Sequence, residues 1–146
     1  MEPLQFIALP FSVLKMAKRD LSGRDVGTLA ERMAENYLQE RGYEILQRNF
    51  RTKLGEIDLI AKKGEMLIFV EVKGKANSYE IDPEEKVNPH KQQRIIKSAQ
   101  IYCLKNSKIF SKIKNIRFDV IVVNLEEGEI KHYESAFYAE ALYFGR

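Results

Sequence analysis

The chain has a single cysteine, Cys103, so no internal disulfide can form and the composition fits a reducing cytoplasm. Cys103 stands among Ile101, Tyr102 and Leu104, the setting of a small core residue rather than a nucleophile. No apolar run approaches the length needed to span a bilayer. The opening segment, MEPLQFIALPFSVLKMAKRD, is apolar but broken by Pro10 and Lys15. Glu2 stands where a secretory signal carries basic charge, so the segment does not read as one. The two histidines, His90 and His132, have no partner at metal-ligand spacing. There is no Gly-rich phosphate loop, no G-x-G-x-x-G, no Cys/His zinc spacing and no G-x-S-x-G elbow. These absences remove the common nucleotide-binding, zinc-finger and serine-hydrolase classes. No internal repeat or low-complexity tract is present.

What remains is 146 residues, enough for one domain with a real core. The formal net charge of +3 conceals a segregation. Of the 24 Lys and Arg, nine lie between Lys86 and Arg117, where there is no Asp or Glu; the rest of the chain carries 15 basic against 21 acidic residues. Within that region a helix is expected from about Pro89 to Lys105. Ile95, Ile96, Ala99, Tyr102 and Cys103 form its apolar side, with Lys91, Arg94, Lys97 and Lys105 opposite and Ile101 the one intruder. A basic face on a packed helix is the electrostatic footprint of a polyanion binder; a solvated lysine face would normally mix signs. His90 in this region could touch phosphate, but ordinary surface is the stronger reading of it.

The stretch that organises the chain is Gly55 to Lys75, GEIDLIAKKGEMLIFVEVKGK. It reads as two strands joined by a tight turn at Lys63-Gly64. Charges interrupt the apolar runs at Glu56 and Asp58 in the first strand and at Glu71 and Lys73 in the second. With an even turn and no bulge, alternation brings Asp58, Glu71 and Lys73 to one face as opposite or diagonal neighbours. Two hard oxygen ligands side by side suit Mg²⁺ or Mn²⁺, and a neighbouring lysine can orient a water or balance charge on a phosphate. The same charges also fit a solvated sheet face with a Lys–Glu ion pair. Against that, IFVEV is too apolar for a sheet with one wet face, which places Glu71 in a central strand.

Before the hairpin, Arg24 to Arg41 reads as an amphipathic helix with Ser22 or Asp25 at its start and Gly42 past its end. Glu31 falls at the margin of its apolar stripe, where it is either solvated or leans over the sheet toward the acids. Tyr43 to Asn49 predicts a short strand, and Arg48, Arg51 and Lys53 add basic character before the hairpin. Residues 77–86 read as a long polar loop, a candidate mobile flap. Arg117 to Val123 predicts a third core strand, Glu126-Glu127-Gly128 a turn, and Glu129 to Tyr133 an edge strand, ahead of an acid-rich tail. Asp119 fits a strand entering the core as well as a site, and is left out of the candidate set. Residues 1–21 read as an extension, either a peripheral helix or an interaction segment, with 22–146 as the domain. Met16, opening MAKRDLSGRD, is a plausible natural start. The order helix, strand, hairpin, helix, strand, strand predicts an α/β domain with a mixed central sheet flanked by helices.

GEIDLIA, then FVEVK, Lys91 and RFDVIVV together resemble the YraN family of uncharacterised bacterial proteins, over roughly residues 22–137. That family is assigned to the PD-(D/E)XK nuclease superfamily, similar in fold to archaeal Holliday-junction resolvases. The resemblance implies a restriction-endonuclease-like fold with an αβββαβ core and a metal-dependent endonuclease activity on DNA, including branched or structured DNA. The family's upstream glutamate falls on Glu31 in GTLAERMAENYL, its D on Asp58, and its E-x-K on Glu71 and Lys73. Asp58, Glu71 and Glu31 would hold Mg²⁺ or Mn²⁺, with the Val72 carbonyl as a further ligand, and Lys73 would act on the attacking water. Lys91, Arg94, Lys97, Lys75 and Arg51 would hold DNA phosphates, RNA remaining open as a partner. No membrane is involved, and a homodimer would suit a symmetric junction. The chain departs from the pattern at Ala30, where glycine is usual, at Gly74-Lys75, where Thr-Arg is usual, and at Ile57, where the superfamily has proline. A non-catalytic nucleic-acid-binding module with the same fold is the competing expectation.

Overall fold

The computed structural model describes residues 5–6, 21–76 and 87–139. The elements are β1 (Gln5–Phe6), α1 (Gly23–Glu40), β2 (Glu44–Arg51), β3 (Glu56–Lys63), β4 (Met66–Lys75), α2 (Pro89–Lys105), α3 (Ser107–Phe110), β5 (Asn115–Asn124) and β6 (Glu129–Phe137). The strands form one sheet in the order β1-β6-β5-β4-β3-β2, with β4 and β5 parallel and the other pairs antiparallel. The run α1-β2-β3-β4-α2-β5 reproduces the expected αβββαβ core around a mixed sheet.

Helix α1 begins where the Ser22 hydroxyl accepts the Asp25 N–H while the Asp25 carboxylate accepts the Ser22 N–H, a reciprocal cap. Beyond its end, Gly42 takes φ +85°, a left-handed turn that glycine enters without strain. Ala30, Met33, Ala34, Tyr37 and Leu38 pack with Leu59, Ala61, Ile68, Val70, Val72, Ile121 and Val123 on one side of the sheet. On the other side, Ile95, Ile96, Ala99, Tyr102 and Cys103 of α2 meet Ile60, Leu67, Phe69, Phe118, Val120 and Val122. Alternation along β4 and β5 thus feeds two cores, one under each helix, and both strands are apolar because both faces are covered.

The β3–β4 hairpin turns at Gly64-Glu65, one residue later than expected, because Lys63 pairs with Met66. Gly64 has φ +60°, the conformation a two-residue hairpin asks of glycine. The strand before it runs Glu44–Arg51 rather than Tyr43–Asn49. Strand β6 is longer than expected and is not an edge, since β1 pairs with its first residues, Glu129 and Ile130. At Gln5–Phe6 the N-terminal segment is therefore strand, not helix. The remainder of that segment, the loop 77–86 and the tail from residue 140 lie outside the described residues.

Candidate active site

Even positions of β3 pair with odd positions of β4, as the parity argument requires, and the pairing runs from Lys63↔Met66 to Leu59↔Val70. One step further the ladder changes character: the Val72 N–H donates to the Asp58 carboxylate at 2.8 Å. A distortion accounts for this. Asn49 of β2 has φ +49°, and the register Arg48↔Leu59, Phe50↔Ile57 sets it opposite Asp58. Across this point the side-chain alternation slips, since Leu59 packs under α1 while Ile57 packs under α2. Asparagine is among the few residues that tolerate this backbone, and such outliers gather at functional sites. Asp58 is thereby turned to the gap between β3 and β4, where both helix layers can reach it.

From the α1 side comes Glu31, close enough to the side chains of Asn49 and Asp58 to feel both. From β4 comes Glu71, 7% exposed, in the layer that α2 covers. One Glu71 oxygen, Oε1, holds both Lys73 Nζ at 3.1 Å and Lys91 Nζ at 2.7 Å. A buried carboxylate costs several kcal/mol unless compensated, and two ammonium partners supply that compensation here. Lys91 thus reaches the acids themselves, closer to the chemistry than a flanking phosphate contact. Burial, and then Glu71, push the Asp58 carboxyl up to about 8. Burial and the nearby Glu56 also raise Glu31. The Asn49 and Asp58 side chains oppose the rise in Glu31, while the charge of Glu31 adds to the rise in Asp58. Lys73 is lowered, by burial first and then by Lys91. Burial opposes the charge on Lys91, but its bonds to Glu71 and Lys73 outweigh it and the group is raised.

The acids open onto two clefts. One, about 450 Å³, is walled by Gly55, Glu56, Asp58, Glu71, Asn88, His90, Lys91 and Arg94. The other, about 340 Å³, lies on the α1 side between Glu31, Arg32, Glu35, Arg48 and Asn49, with Glu35 and Arg48 ion-paired. Sequence reasoning missed Asn49, whose only signal was its type at a strand end, and set His90 aside as ordinary surface. Of the remaining basic candidates, Arg94 lines the first cleft and its guanidinium binds the Leu54 carbonyl at 3.1 Å. Arg51 pairs with Glu56 at 3.6 Å at the rim. Lys97 is exposed on α2 but does not line the cleft, and Lys75 continues β4 beyond Lys73. Among the described residues, no three His, Cys, Asp or Glu side chains form a ready-made metal cage. The donor chemistry is instead an adjacent pair of hard oxygen donors, the kind of set that leaves Mg²⁺ most of its waters.

Asp119 belongs elsewhere. Val70 is its partner across β4–β5, so it faces α1 while Glu71 faces α2. Fully buried, it accepts Arg117 Nε at 2.9 Å and bonds His132 Nε2 at 2.7 Å, and His132 Nδ1 meets the Tyr37 hydroxyl at 3.1 Å. Leaving Asp119 out of the acidic set agrees with this geometry, and His132 is an interior structural residue.

A model of the family described as "Uncharacterised protein family UPF0102" matches residues 30–123, which include Glu31, Asp58, Glu71, Lys73 and Lys91. The chain belongs to this family. UPF0102 proteins similar to it include one from Fervidobacterium nodosum, 44% identical over 73% of this chain and 77% of that one. Another, from Alkaliphilus oremlandii, is 43% identical over 78% of this chain and 98% of its own length. A third, from Clostridioides difficile, is 42% identical over 80% of this chain and all of its own length. Among solved structures, Pyrococcus furiosus SfsA in complex with Ca²⁺ is 18% identical over 73% of this chain and 60% of that chain, with a TM-score of 0.27. No helix among the described residues is long and apolar enough to cross a membrane.

Proposed function

We propose that this UPF0102 protein is a divalent-metal-dependent endonuclease that hydrolyses DNA phosphodiester bonds, acting in the cytoplasm and, on a symmetric junction, as a homodimer. The observation that carries this reading is the convergence of Asp58, Glu71 and Lys91 on one cleft at the N-terminal end of a basic helix, with Lys73 paired to Glu71 behind it. Asp58 and Glu71 would hold Mg²⁺ or Mn²⁺, with the Val72 carbonyl as a further oxygen and Glu31 completing the acidic set. When bound, the ion polarises the scissile phosphate and stabilises the leaving oxygen. Lys73, lowered by burial and by Lys91, would give up its proton once the metal takes Glu71 and then accept at Nζ the proton that the attacking water loses as its oxygen bonds to phosphorus. The P–O bond to the leaving sugar oxygen then breaks. Lys91 keeps its charge and moves from Glu71 to a phosphate oxygen, and Arg94 holds a flanking phosphate. Such contacts make affinity fall steeply with salt.

One observation favours a second reading, a nucleic-acid-binding module without turnover: Glu71 is already neutralised by two lysines with no ion needed. Cleavage of a labelled four-way junction, flap, linear duplex and single strand in Mg²⁺ and in Mn²⁺ separates the two. Cuts that need metal and vanish in Asp58→Ala and Lys73→Ala establish the nuclease. Equal gel shifts by wild type and both variants, with no cuts, establish the binder.

A further inference from the structure

Three large apolar side chains are well exposed among the described residues, and Leu54, at 45%, is the one beside the cleft. It sits on the β2–β3 turn next to Gly55, a wall of the acidic cleft. A lone exposed leucine needs no explanation in itself. This one is held still. The Thr52 hydroxyl oxygen accepts the Leu54 N–H at 3.0 Å and the Gly55 N–H at 3.1 Å, and it lies 3.0 Å from Ser98 Oγ of α2. The Leu54 carbonyl takes Arg94 Nε at 3.1 Å. Gly55 is pressed onto α2 so closely that a Cβ there would stand 3.2 Å from the Arg94 Cβ and from Ser98 Oγ. The turn is therefore fixed to the helix that carries Lys91 to Glu71. Arg51 and Lys53 flank the tip, and the Arg51 side chain is 78% exposed despite its pairing with Glu56.

We infer that Leu54 is a wedge that enters the base stack of bound DNA near the cleavage position and selects duplexes that are already unstacked; this rests on the nuclease reading above. Apolar wedges between cationic neighbours are a recurrent way to kink DNA, because the cations hold the backbone while the wedge displaces stacking. Four residue steps lead from Leu54 to Asp58, the last two within β3, so the two stand at most about 13 Å apart at roughly 3.3 Å per residue, or about four base-pair steps. The wedge thus acts within about four steps of the cut. A junction, mismatch or nick at that place spares the unstacking cost that an intact duplex incurs, so such DNA is the favoured substrate class.

The test uses the full chain, wild type beside Leu54→Ser and Leu54→Phe. Each binds four-way junctions and linear duplexes that carry 2-aminopurine at successive positions, in EDTA and in Mg²⁺. Wild type and Leu54→Phe raise the fluorescence at one or two adjacent positions, and Leu54→Ser does not. Cleavage of a duplex mismatched at that step falls about tenfold in Leu54→Ser, while an intact duplex, whose unstacking cost offsets the wedge contact, changes less than about twofold. The wedge is overturned if Leu54→Ser matches wild type in fluorescence, or if wild type raises it nowhere. Leu54-dependent unstacking without any cut would retain the wedge and remove the nuclease. Cutting that is indifferent to Leu54 would do the reverse.

Discussion

Ala30 of α1 rests on Gly74 of β4: a Cβ added at Gly74 would stand 2.7 Å from the Ala30 Cβ and 3.1 Å from the Val26 carbonyl. The family pattern noted in the sequence has glycine at the first position and threonine at the second. Against the pattern that the resemblance implies, the two departures would offset each other, one methyl gained on the helix against one side chain lost from the strand. The contact matters because it sets the depth at which Glu31, the next residue, meets the sheet.

Gly74→Thr alone should destabilise the protein by about 2 kcal/mol, the usual cost of overpacking. Ala30→Gly alone should cost about 1 kcal/mol through helix propensity. Together they should cost clearly less than the sum of the single changes. Urea denaturation of the four proteins closes the cycle, and strict additivity would mean that the contact does not fix the helix.

Much of this arrangement was legible in the sequence. Helical spacing identified both helix faces, and alternation with an even turn brought Asp58 and Glu71 together. The backbone slip at Asn49 was not legible, because a left-handed asparagine inside a strand follows from tertiary context rather than local propensity. Nor was the sharing of Glu71 between Lys73 and Lys91, which lie 18 positions apart and on different elements. The Asp119–His132 pair also escaped, since spacing rules for metal ligands do not describe a buried structural network.

The raised Asp58 carboxyl makes stability fall as pH rises. Between its ordinary value near 3.8 and about 8 the folded chain keeps a proton that the unfolded chain has lost, so unfolding is progressively favoured. Asp58→Asn should flatten that decline and raise the melting temperature at pH 8 by on the order of 5 °C. Mg²⁺ should stabilise wild type at pH 8 more than at pH 6, where the proton competes, and should leave Asp58→Asn unmoved. Thermal melts at the two pH values, with and without Mg²⁺, decide it. A wild-type stability that climbs from pH 5 to 8 would contradict the electrostatics of the site.

The Arg117–Asp119–His132 network should be separable from the acidic site, because it lies on the α1 side of the sheet. Arg117→Met leaves the buried Asp119 with His132 and the Ser135 N–H and should cost about 3 to 5 kcal/mol. The pH-8 stabilisation by Mg²⁺ should persist in that variant at a temperature where it remains folded. Loss of the Mg²⁺ response in the folded variant would instead couple the two faces.

Lys73 and Lys91 touch the same oxygen of Glu71 yet should fail differently when removed. Lys91→Met frees Glu71 from a competing cation, so Mn²⁺ should bind more tightly, by about threefold to tenfold, a coupling on the order of 1 kcal/mol. The same variant gives up one phosphate contact, so its DNA affinity should fall and the slope of log affinity against log salt should drop by about 0.9. Lys73→Met should leave that slope intact, because its amine serves the water rather than the backbone. It should slow cleavage by about a hundredfold, the scale of a lost proton acceptor. Calorimetric Mn²⁺ titration, DNA binding across a salt series and single-turnover cleavage on the two variants give three independent readings. Identical behaviour of the two in all three would mean that the lysines form one undivided charge, and the separate roles assigned to them would fall.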